Sequence, residues 1–243
     1  MIAPGPDEVV VFTADVRALA AHTTRLALLL DRREAATAAR FRFDADVTRY
    51  IVAHGLLRIV LGAAVRCAPA GVRYAIGAHG KPALQTDGAD AQLAFNLSHA
   101  ADRVLIALAR RPVGVDVERC SEDVPCEAVA AFVFSAAERR ELAALPADRK
   151  RAAFFNGWTR KEAYVKALGM GIGYGLDAFD VSLDPHVPAR ILADRGPAGG
   201  PTAWSLRTVD AGAGYSAAVV AAGSDWRLSV QALDPAMAEA FAR

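Results

Sequence analysis

Hydrophobic and polar residues follow two different periods along this chain, and each period predicts a different kind of element. Residues 9–12 form a β-branched run and predict a short strand. Apolar residues then recur at helical spacing, which predicts a short helix over 31–42 and a longer one over 44–61. Gly62 follows the longer pattern and fits the end of that helix.

Three extended segments occupy the middle of the chain. Residues 93–99, 103–109 and 113–118 are apolar or alternate between apolar and polar positions, and each predicts a strand. Only a short break at Arg111-Pro112 separates the last two segments. They are therefore predicted to lie side by side as a hairpin.

The second half begins with a helical block over about 128–168. Ser135 and Glu138 have the spacing of a capping box and predict a helix start, while Pro146 predicts an interruption before a second helix. Gly169 opens a run of alternating glycines and predicts the end of that helix.

The last third of the chain is strand-like and broken by turn residues. Short β-runs over 203–208, 216–222 and 226–230 predict an antiparallel sheet, and the tail over 235–243 predicts either a short helix or a frayed end. Helices and strands are mixed without strict alternation, so the predicted fold class is α+β. Each half carries one long helix with flanking strands, which is a loose internal symmetry.

Composition narrows the function classes. Among 243 residues, Lys+Arg 28 against Asp+Glu 27 leave a net charge of +1, which excludes the strongly basic footprint of a general nucleic-acid binder. Three cysteines without a CxxC pair predict a reducing, cytoplasmic setting. No signal peptide is recognisable, and no membrane span is predicted from the apolar runs.

The segment over 114–118 is the most informative for chemistry. Asp116 and Glu118 are two positions apart on a predicted strand, so their carboxylates project from one face while Val115 and Val117 project from the other. A divalent cation such as Mg²⁺ would offset the repulsion between the two acids. The alternative is a solvated strand face that carries two acids.

A second constellation lies on the predicted helix before Gly169. Trp158, Glu162 and Lys166 are spaced four residues apart and share one stripe of that helix. An exposed Glu–Lys pair is the simpler interpretation, but a tryptophan on the same stripe indicates a partly buried face. A metal ion with phosphates would provide partners for both charges.

Several further residues suit the binding of anions. Ser98 and His99 end a predicted strand and can donate hydrogen bonds to a phosphate. A nucleophilic Ser–His pair, as in a serine hydrolase, is disfavoured because adjacent residues on a strand point to opposite sides. Lys81 lies between Gly80 and Pro82, where a restricted backbone suits a fixed anion contact or an ordinary turn. The candidate phosphate-binding arginines near the N-terminus are Arg32, Arg33, Arg40, Arg42 and Arg49, of which the first two fit a solvated helix face better.

These motifs together resemble a known family. The segments GVDVE, FSAAE and WTRKEAYVKALGMGI, with GKP and NLSH before them, resemble 4′-phosphopantetheinyl transferases of the long, monomeric, surfactin-synthetase-activating type. The resemblance spans roughly residues 40–173. It implies an α+β pseudo-dimer of two similar halves, expected here at 1–111 for the coenzyme A nucleotide and 112–243 for the metal site and carrier docking.

The resemblance also implies the reaction: the phosphopantetheine arm of coenzyme A moves to a serine of an acyl or peptidyl carrier protein, and adenosine 3′,5′-bisphosphate is released. It assigns roles by position. Asp116, Glu118 and Glu162 would be Mg²⁺ ligands, and Glu162 and Lys166 would be catalytic. The expected contacts to coenzyme A are Arg40, Arg49, Lys81, Pro82, Ser98, His99 and Lys166.

Two other functions remain as alternatives at this point. One is a binding module that retains the coenzyme cleft without catalysis, and the other is a Mg²⁺-dependent phosphohydrolase. The expected partner is an acidic carrier domain from fatty acid, polyketide or nonribosomal peptide synthesis, and residues 120–147 are the candidate docking surface.

Overall fold

The computed structural model describes residues 3–77, 79–86, 92–196 and 200–236. The α-helices in these residues are α1 (Val16–Leu19), α2 (Thr23–Ala27), α3 (Arg32–Ala38), α4 (Asp44–Val65), α5 (Cys126–Val133), α6 (Ala136–Ala144) and α7 (Ala147–Leu168). The strands are β1 (Glu8–Asp15), β2 (Tyr74–Ile76), β3 (Pro82–Leu84), β4 (Ala94–Ala100), β5 (Arg103–Ala109), β6 (Val113–Arg119), β7 (Phe179–Val181), β8 (Ile191–Asp194), β9 (Trp204–Thr208), β10 (Tyr215–Ala222) and β11 (Arg227–Ala232).

Two sheets stack face to face, and each is covered by a long helix on its outer side. The first sheet has the order β11-β1-β5-β4 and packs against α4; the second has the order β6-β10-β9 and packs against α7. Alternation along β1 shows how the layers form, because Val10 and Phe12 face α4 while Val9 and Val11 enter the core between the sheets. The predicted α+β class with two similar halves is confirmed.

The predicted hairpin at Arg111-Pro112 is wrong. Strand β5 pairs with β1 and β4, whereas β6 pairs with β10, so the chain changes sheets at this break. Apolar residues on both strands explain the arrangement: Leu105 and Val115 are both fully buried in the core between the sheets. The two strands stack through their side chains instead of pairing through their backbones.

The last predicted strand also belongs elsewhere. Strand β11 pairs in parallel with β1, with Val9 opposite Leu228, and so leaves the antiparallel sheet that the sequence predicts for this region. Pairing between the two ends of a chain depends on which sheet edge is free, and local sequence patterns carry no information on that.

Helix α4 ends later than predicted. The helix continues past Gly62 to Val65, and Arg66 closes it in the left-handed conformation at φ 56°. Position 62 requires a glycine for a different reason. A Cβ there would lie 2.8 Å from the carbonyl oxygen of Cys67, where the chain leaves the helix. The sequence pattern does not predict the short helices α1 and α2. The tail, for which a short helix or a frayed end is predicted, falls largely on residues outside those described.

Helix α4 also qualifies by length and hydropathy as a membrane span, the one helix in the described part of the chain to do so. However, 67% of its apolar window is buried inside the protein. Its apolar residues therefore form the core beneath the first sheet.

Candidate active site

Helix α7 lies directly on strand β6, and a glycine permits this contact. A Cβ at Gly114 would lie 2.2 Å from the carbonyl oxygen of Ala163 and 2.3 Å from the amide nitrogen of Ala167. Backbone therefore meets backbone at this point. The close approach brings the acidic strand and the Glu162–Lys166 face of α7 together.

Asp116 is the buried centre of the site. The residue is only 3% exposed. Its Oδ1 accepts hydrogen bonds from Lys166 Nζ at 2.5 Å and from Ser98 Oγ at 2.9 Å. The other carboxylate oxygen, Oδ2, is buried and has no hydrogen-bond partner among the described residues. A buried carboxylate oxygen without a donor is costly, so it is suited to a cation.

Three carboxylates influence one another here. Burial, helped by the nearby charges of Asp116 and Glu162, raises the pKa of Glu118 to about 7, while Lys166 and a hydrogen bond from Trp158 oppose the shift. Burial and the charge of Asp116 also raise the pKa of Glu162. Their charges disfavour one another, which is the electrostatic situation that a bound cation relieves.

The predicted stripe on α7 is confirmed as a partly buried face. Trp158, Glu162 and Lys166 are each partly exposed, while the residues between them are mostly buried in the core. Lys166 is shared between Asp116 and Ser98, whose Oγ lies 3.3 Å from the ammonium. The helix thus presents one acid and one ammonium to the strand.

The side chains around Asp116 have the chemistry of a Mg²⁺ site. Within the described ranges, no group of three His, Cys, Asp or Glu side chains is gathered so that it could hold a metal ion as placed. Lys166 takes one oxygen of Asp116, but the other oxygen is unpartnered and the two glutamates have raised pKa values. Oxygen ligands with mutual repulsion match what Mg²⁺ prefers, so these residues fit the ion chemically.

Ser98 and His99 lie on β4 beside this centre and face different groups. The Ser98 hydroxyl is engaged by Asp116 and Lys166, which leaves it bound to the acidic centre. Burial lowers the pKa of His99 to about 4, and the electrostatic effect of the nearby His54, Arg49 and Lys166 side chains acts in the same direction. His99 Nδ1 is buried and has no hydrogen-bond partner in the part of the chain that the structure describes.

Lys81 makes a contact that the sequence did not indicate. Its ammonium donates to the carbonyl oxygens of Val113 at 2.8 Å, Lys166 at 2.6 Å and Ala167 at 3.3 Å. It therefore ties the β2–β3 hairpin to the start of β6 and to the negative end of α7. Burial lowers the pKa of Lys81 to about 8.

A cleft of 530 Å³ opens beside these groups. Its walls come from both halves of the chain: Lys81, Pro82 and Asn96 from the first half, and Glu162 and Lys166 from the second. The walls are completed by Phe132 of α5 and by the glycine-rich segment after α7, residues 169–176. Most predicted site residues therefore lie in or next to one cleft.

The two predicted arginines are placed differently from each other. Arg40 is exposed in the turn after α3. Arg49 lies on α4, where it forms an ion pair with Asp46 and is near enough to His99 to affect its pKa. Of the two, Arg49 is the one that the structure brings close to the Ser98–His99 strand.

A buried ion pair lies behind the site, and the sequence patterns do not predict it. Lys161 and Glu138 are each 1% exposed, with Nζ 2.8 Å from Oε2, and Lys161 also donates to the carbonyl oxygens of Leu176 and Phe179. Burial raises the pKa of Glu138 and lowers that of Lys161. The clue in the sequence is a lysine at a core-facing position of an otherwise apolar helix face.

Comparison with known proteins identifies the family. Residues 112–220 match the model of the 4′-phosphopantetheinyl transferase superfamily, and residues 18–111 match that of the 4′-phosphopantetheinyl transferase N-terminal region. Together the two matches cover most of the chain.

Named relatives agree with these matches. The chain is 34% identical over 203 residues to the 4′-phosphopantetheinyl transferase HetI of Nostoc sp.. The matched region covers 83% of this chain and 82% of HetI. It is 29% identical over 189 residues to the 4′-phosphopantetheinyl transferase Sfp of Bacillus subtilis. That matched region covers 77% of this chain and 80% of Sfp.

The solved structure of Thermotoga maritima holo-[acyl-carrier-protein] synthase is a more distant likeness. It has a TM-score of 0.35 and 21% sequence identity, and it covers 46% of this chain and 63% of that one. On the family models and the relatives that span its length, this chain belongs to the 4′-phosphopantetheinyl transferases of the long type, enzymes that transfer phosphopantetheine to carrier proteins.

Proposed function

We propose that this enzyme moves the phosphopantetheine arm of coenzyme A onto a serine hydroxyl of an acyl or peptidyl carrier domain, depends on Mg²⁺, and releases adenosine 3′,5′-bisphosphate. The observation that carries the proposal is the contact of Lys166 with Asp116 at 2.5 Å, beside Glu118, Glu162 and the cleft. One ammonium among three mutually repelling carboxylates suits a metal-bound diphosphate.

Asp116, Glu118 and Glu162 are the residues that would hold Mg²⁺. The ion would neutralise charge on the diphosphate of coenzyme A and stabilise the leaving group. The unpartnered Oδ2 of Asp116 and the raised pKa values of the two glutamates support this assignment.

Glu162 and Lys166 divide the proton transfers. As the carrier serine oxygen bonds to the β-phosphorus, Glu162 accepts the hydroxyl proton, directly or through a water molecule. The bond from that phosphorus to the oxygen bridging to the α-phosphate breaks. Lys166 offsets the charge that develops on this oxygen and can protonate the departing bisphosphate. Burial and the charge of Asp116 raise the pKa of Glu162, which makes its carboxylate a stronger base than an ordinary glutamate.

The remaining residues bind the coenzyme from the first half of the chain. Ser98 and His99 would contact its phosphates, Lys81 and Pro82 would line the nucleotide pocket, and Arg40 and Arg49 would meet the 3′-phosphate. The proximity of Arg49 to His99 and the place of Lys81 and Pro82 in the cleft wall support this arrangement. Residues 1–111 would thus serve the nucleotide and 112–243 the metal and the carrier, with β11 returning to the first sheet.

The carrier would dock beside the cleft on residues 120–147. Phe132 of α5 is 87% exposed and forms part of the cleft wall, so an apolar contact at this position would bring a partner next to the reacting groups. A single chain holds both walls of the cleft, which supports a monomer as the working unit.

The experiment compares coenzyme A and Mg²⁺ with and without an apo carrier domain. Transfer predicts a carrier modified by phosphopantetheine, together with bisphosphate release that requires the carrier. Bisphosphate release without the carrier would instead indicate a phosphohydrolase and contradict the proposal. Mass spectrometry of fatty acid, polyketide and nonribosomal peptide carriers would then show which class the enzyme accepts.

A further inference from the structure

The glycine-rich segment after α7 forms one wall of the cleft, and it is anchored from behind. Gly169, Gly171, Gly175 and Leu176 line the cleft. Between them, Tyr174 turns inward and is 5% exposed. A wall made largely of glycine has little side-chain packing of its own, so its position depends on this inward anchor.

The anchor is a carboxylate shared by two tyrosines. The Tyr174 hydroxyl donates to Asp194 Oδ1 at 2.6 Å, and the Tyr164 hydroxyl of α7 donates to Asp194 Oδ2 at 2.6 Å. The amide of Gly196 donates to Oδ1 as well, at 2.9 Å. Burial by itself would raise the pKa of Asp194, but the hydrogen bonds from the two tyrosines and Gly196, with the charge of Arg195, together lower it.

The backbone after β8 packs closely against the Tyr174 side chain. A Cβ at Gly196 would lie 2.4 Å from the Tyr174 hydroxyl oxygen, so the chain passes directly against the ring at this point. The rings of Tyr164 and Tyr174 meet edge to face with centroids 6.1 Å apart. Tyr164 lies on the same helix as Glu162 and Lys166, so the anchor links the cleft wall to the helix that carries the reacting groups.

We infer that Tyr174 is a positioning residue: bonded to Asp194, it holds the glycine-rich wall in the place where coenzyme A is bound. This inference rests on the proposed function. Tyr174 bonds to Asp194 and packs against the rings of Tyr164 and Phe179. Loosening it should therefore weaken binding of the coenzyme and leave the chemical step largely intact.

The test uses Tyr174→Phe, which keeps the ring and removes the hydroxyl. The KM for coenzyme A should rise roughly fivefold or more, as expected for loss of a hydrogen bond to a carboxylate. The kcat should stay within about twofold, the pattern for an interaction made equally in ground and transition states. Amide hydrogen exchange over residues 170–177 should become faster in the free enzyme.

Variants at two further residues, Gly196 and Asp194, test the same anchor. Gly196→Ala leaves every hydroxyl in place but presses on Tyr174, and it should reproduce the rise in KM and the faster exchange. Asp194→Asn keeps an oxygen that can accept from Tyr174 and Gly196, so it should be milder than Asp194→Ala. The matched control is Tyr215→Phe, which removes a tyrosine hydrogen bond to Asp102 away from the cleft; it should leave the KM for coenzyme A unchanged.

The outcomes separate this inference from the proposed function. An unchanged KM in Tyr174→Phe, or exchange over 170–177 as slow as in the wild type, would overturn the inference. A fall in kcat with unchanged KM would also overturn it. If the wild-type protein neither bound nor used coenzyme A, the proposed function would fail, while the exchange measurement would still decide whether Tyr174 holds the wall.

Discussion

The ammonium of Lys166 lies 2.5 Å from Oδ1 of Asp116, and this ion pair joins the end of helix α7 to the middle of strand β6. The two residues are 50 positions apart in the chain. Asp116 is almost fully buried, whereas Lys166 keeps 30% of its side chain exposed toward the cleft. The pair therefore connects the buried acidic centre to the space where a substrate can bind.

Replacement of Asp116 tests the centre directly. Asp116→Asn keeps the shape but removes the negative charge, so carrier modification should slow by about a hundredfold or more, the scale of losing metal-assisted charge stabilisation. Mass spectrometry of the carrier measures the rate. Asp7→Asn, at a carboxylate with 65% side-chain exposure, is the control and should retain full activity. Wild-type rates for Asp116→Asn with an intact fold would refute the site.

Removal of the metal tests the proposed ligands as a set. Transfer should stop when a chelator is added and return with Mg²⁺, because the coenzyme diphosphate is otherwise too negatively charged to approach the carboxylates. In Glu118→Gln, half-maximal activity should require a higher Mg²⁺ concentration than in the wild type. If the two proteins showed the same Mg²⁺ dependence, Glu118 would not be a ligand.

His99 makes a prediction about stability and pH. Its pKa falls from 6.5 in the unfolded chain to about 4 in the folded protein, chiefly because of burial. Between these values the unfolded state binds the extra proton, so the contribution of His99 to stability is complete above pH 6.5 and declines as the pH falls toward 4. Urea unfolding of His99→Gln over this window should show a shallower fall in stability than the wild type. Parallel curves for the two proteins would contradict the assignment.

The buried pair of Lys161 and Glu138 predicts a large effect on stability. Lys161→Met should lower the free energy of unfolding by roughly 3–5 kcal/mol, because Glu138 is left as an uncompensated buried charge. Adding Glu138→Gln should recover part of the loss. Lys150→Met breaks an exposed pair with Glu127 and should cost at most about 1 kcal/mol. Denaturant unfolding compares the variants, and equal losses for Lys161→Met and Lys150→Met would argue against the pair.

Gly114 makes a prediction that links packing to activity. In Gly114→Ala the added methyl group meets backbone atoms of Ala163 and Ala167, so α7 must move away from β6. The thermal unfolding midpoint and the transfer rate should both fall, because Lys166 is carried away from Asp116. Gly71→Ala is the matched control, since a Cβ there meets nothing within 4 Å. Normal activity and stability in Gly114→Ala would mean that the close approach is unimportant.

The sequence by itself determined the local structure and the chemical character of the site. Helical periodicity predicted α4 and α7, the Ser135–Glu138 spacing predicted a helix cap that forms as expected, and alternation along β6 predicted the shared face of Asp116 and Glu118. These features depend on residues only a few positions apart, so hydrogen bonding and side-chain periodicity within one segment are enough to specify them.

Only the tertiary structure decided how distant segments meet. It separated β5 from β6, paired β11 with β1, and gave Lys81 three backbone carbonyl partners instead of a free ammonium. It also buried Lys161 against Glu138 and joined Tyr174 to Asp194. Such contacts depend on which faces and sheet edges remain available after the core has packed, and that is a property of the whole chain that no single segment encodes.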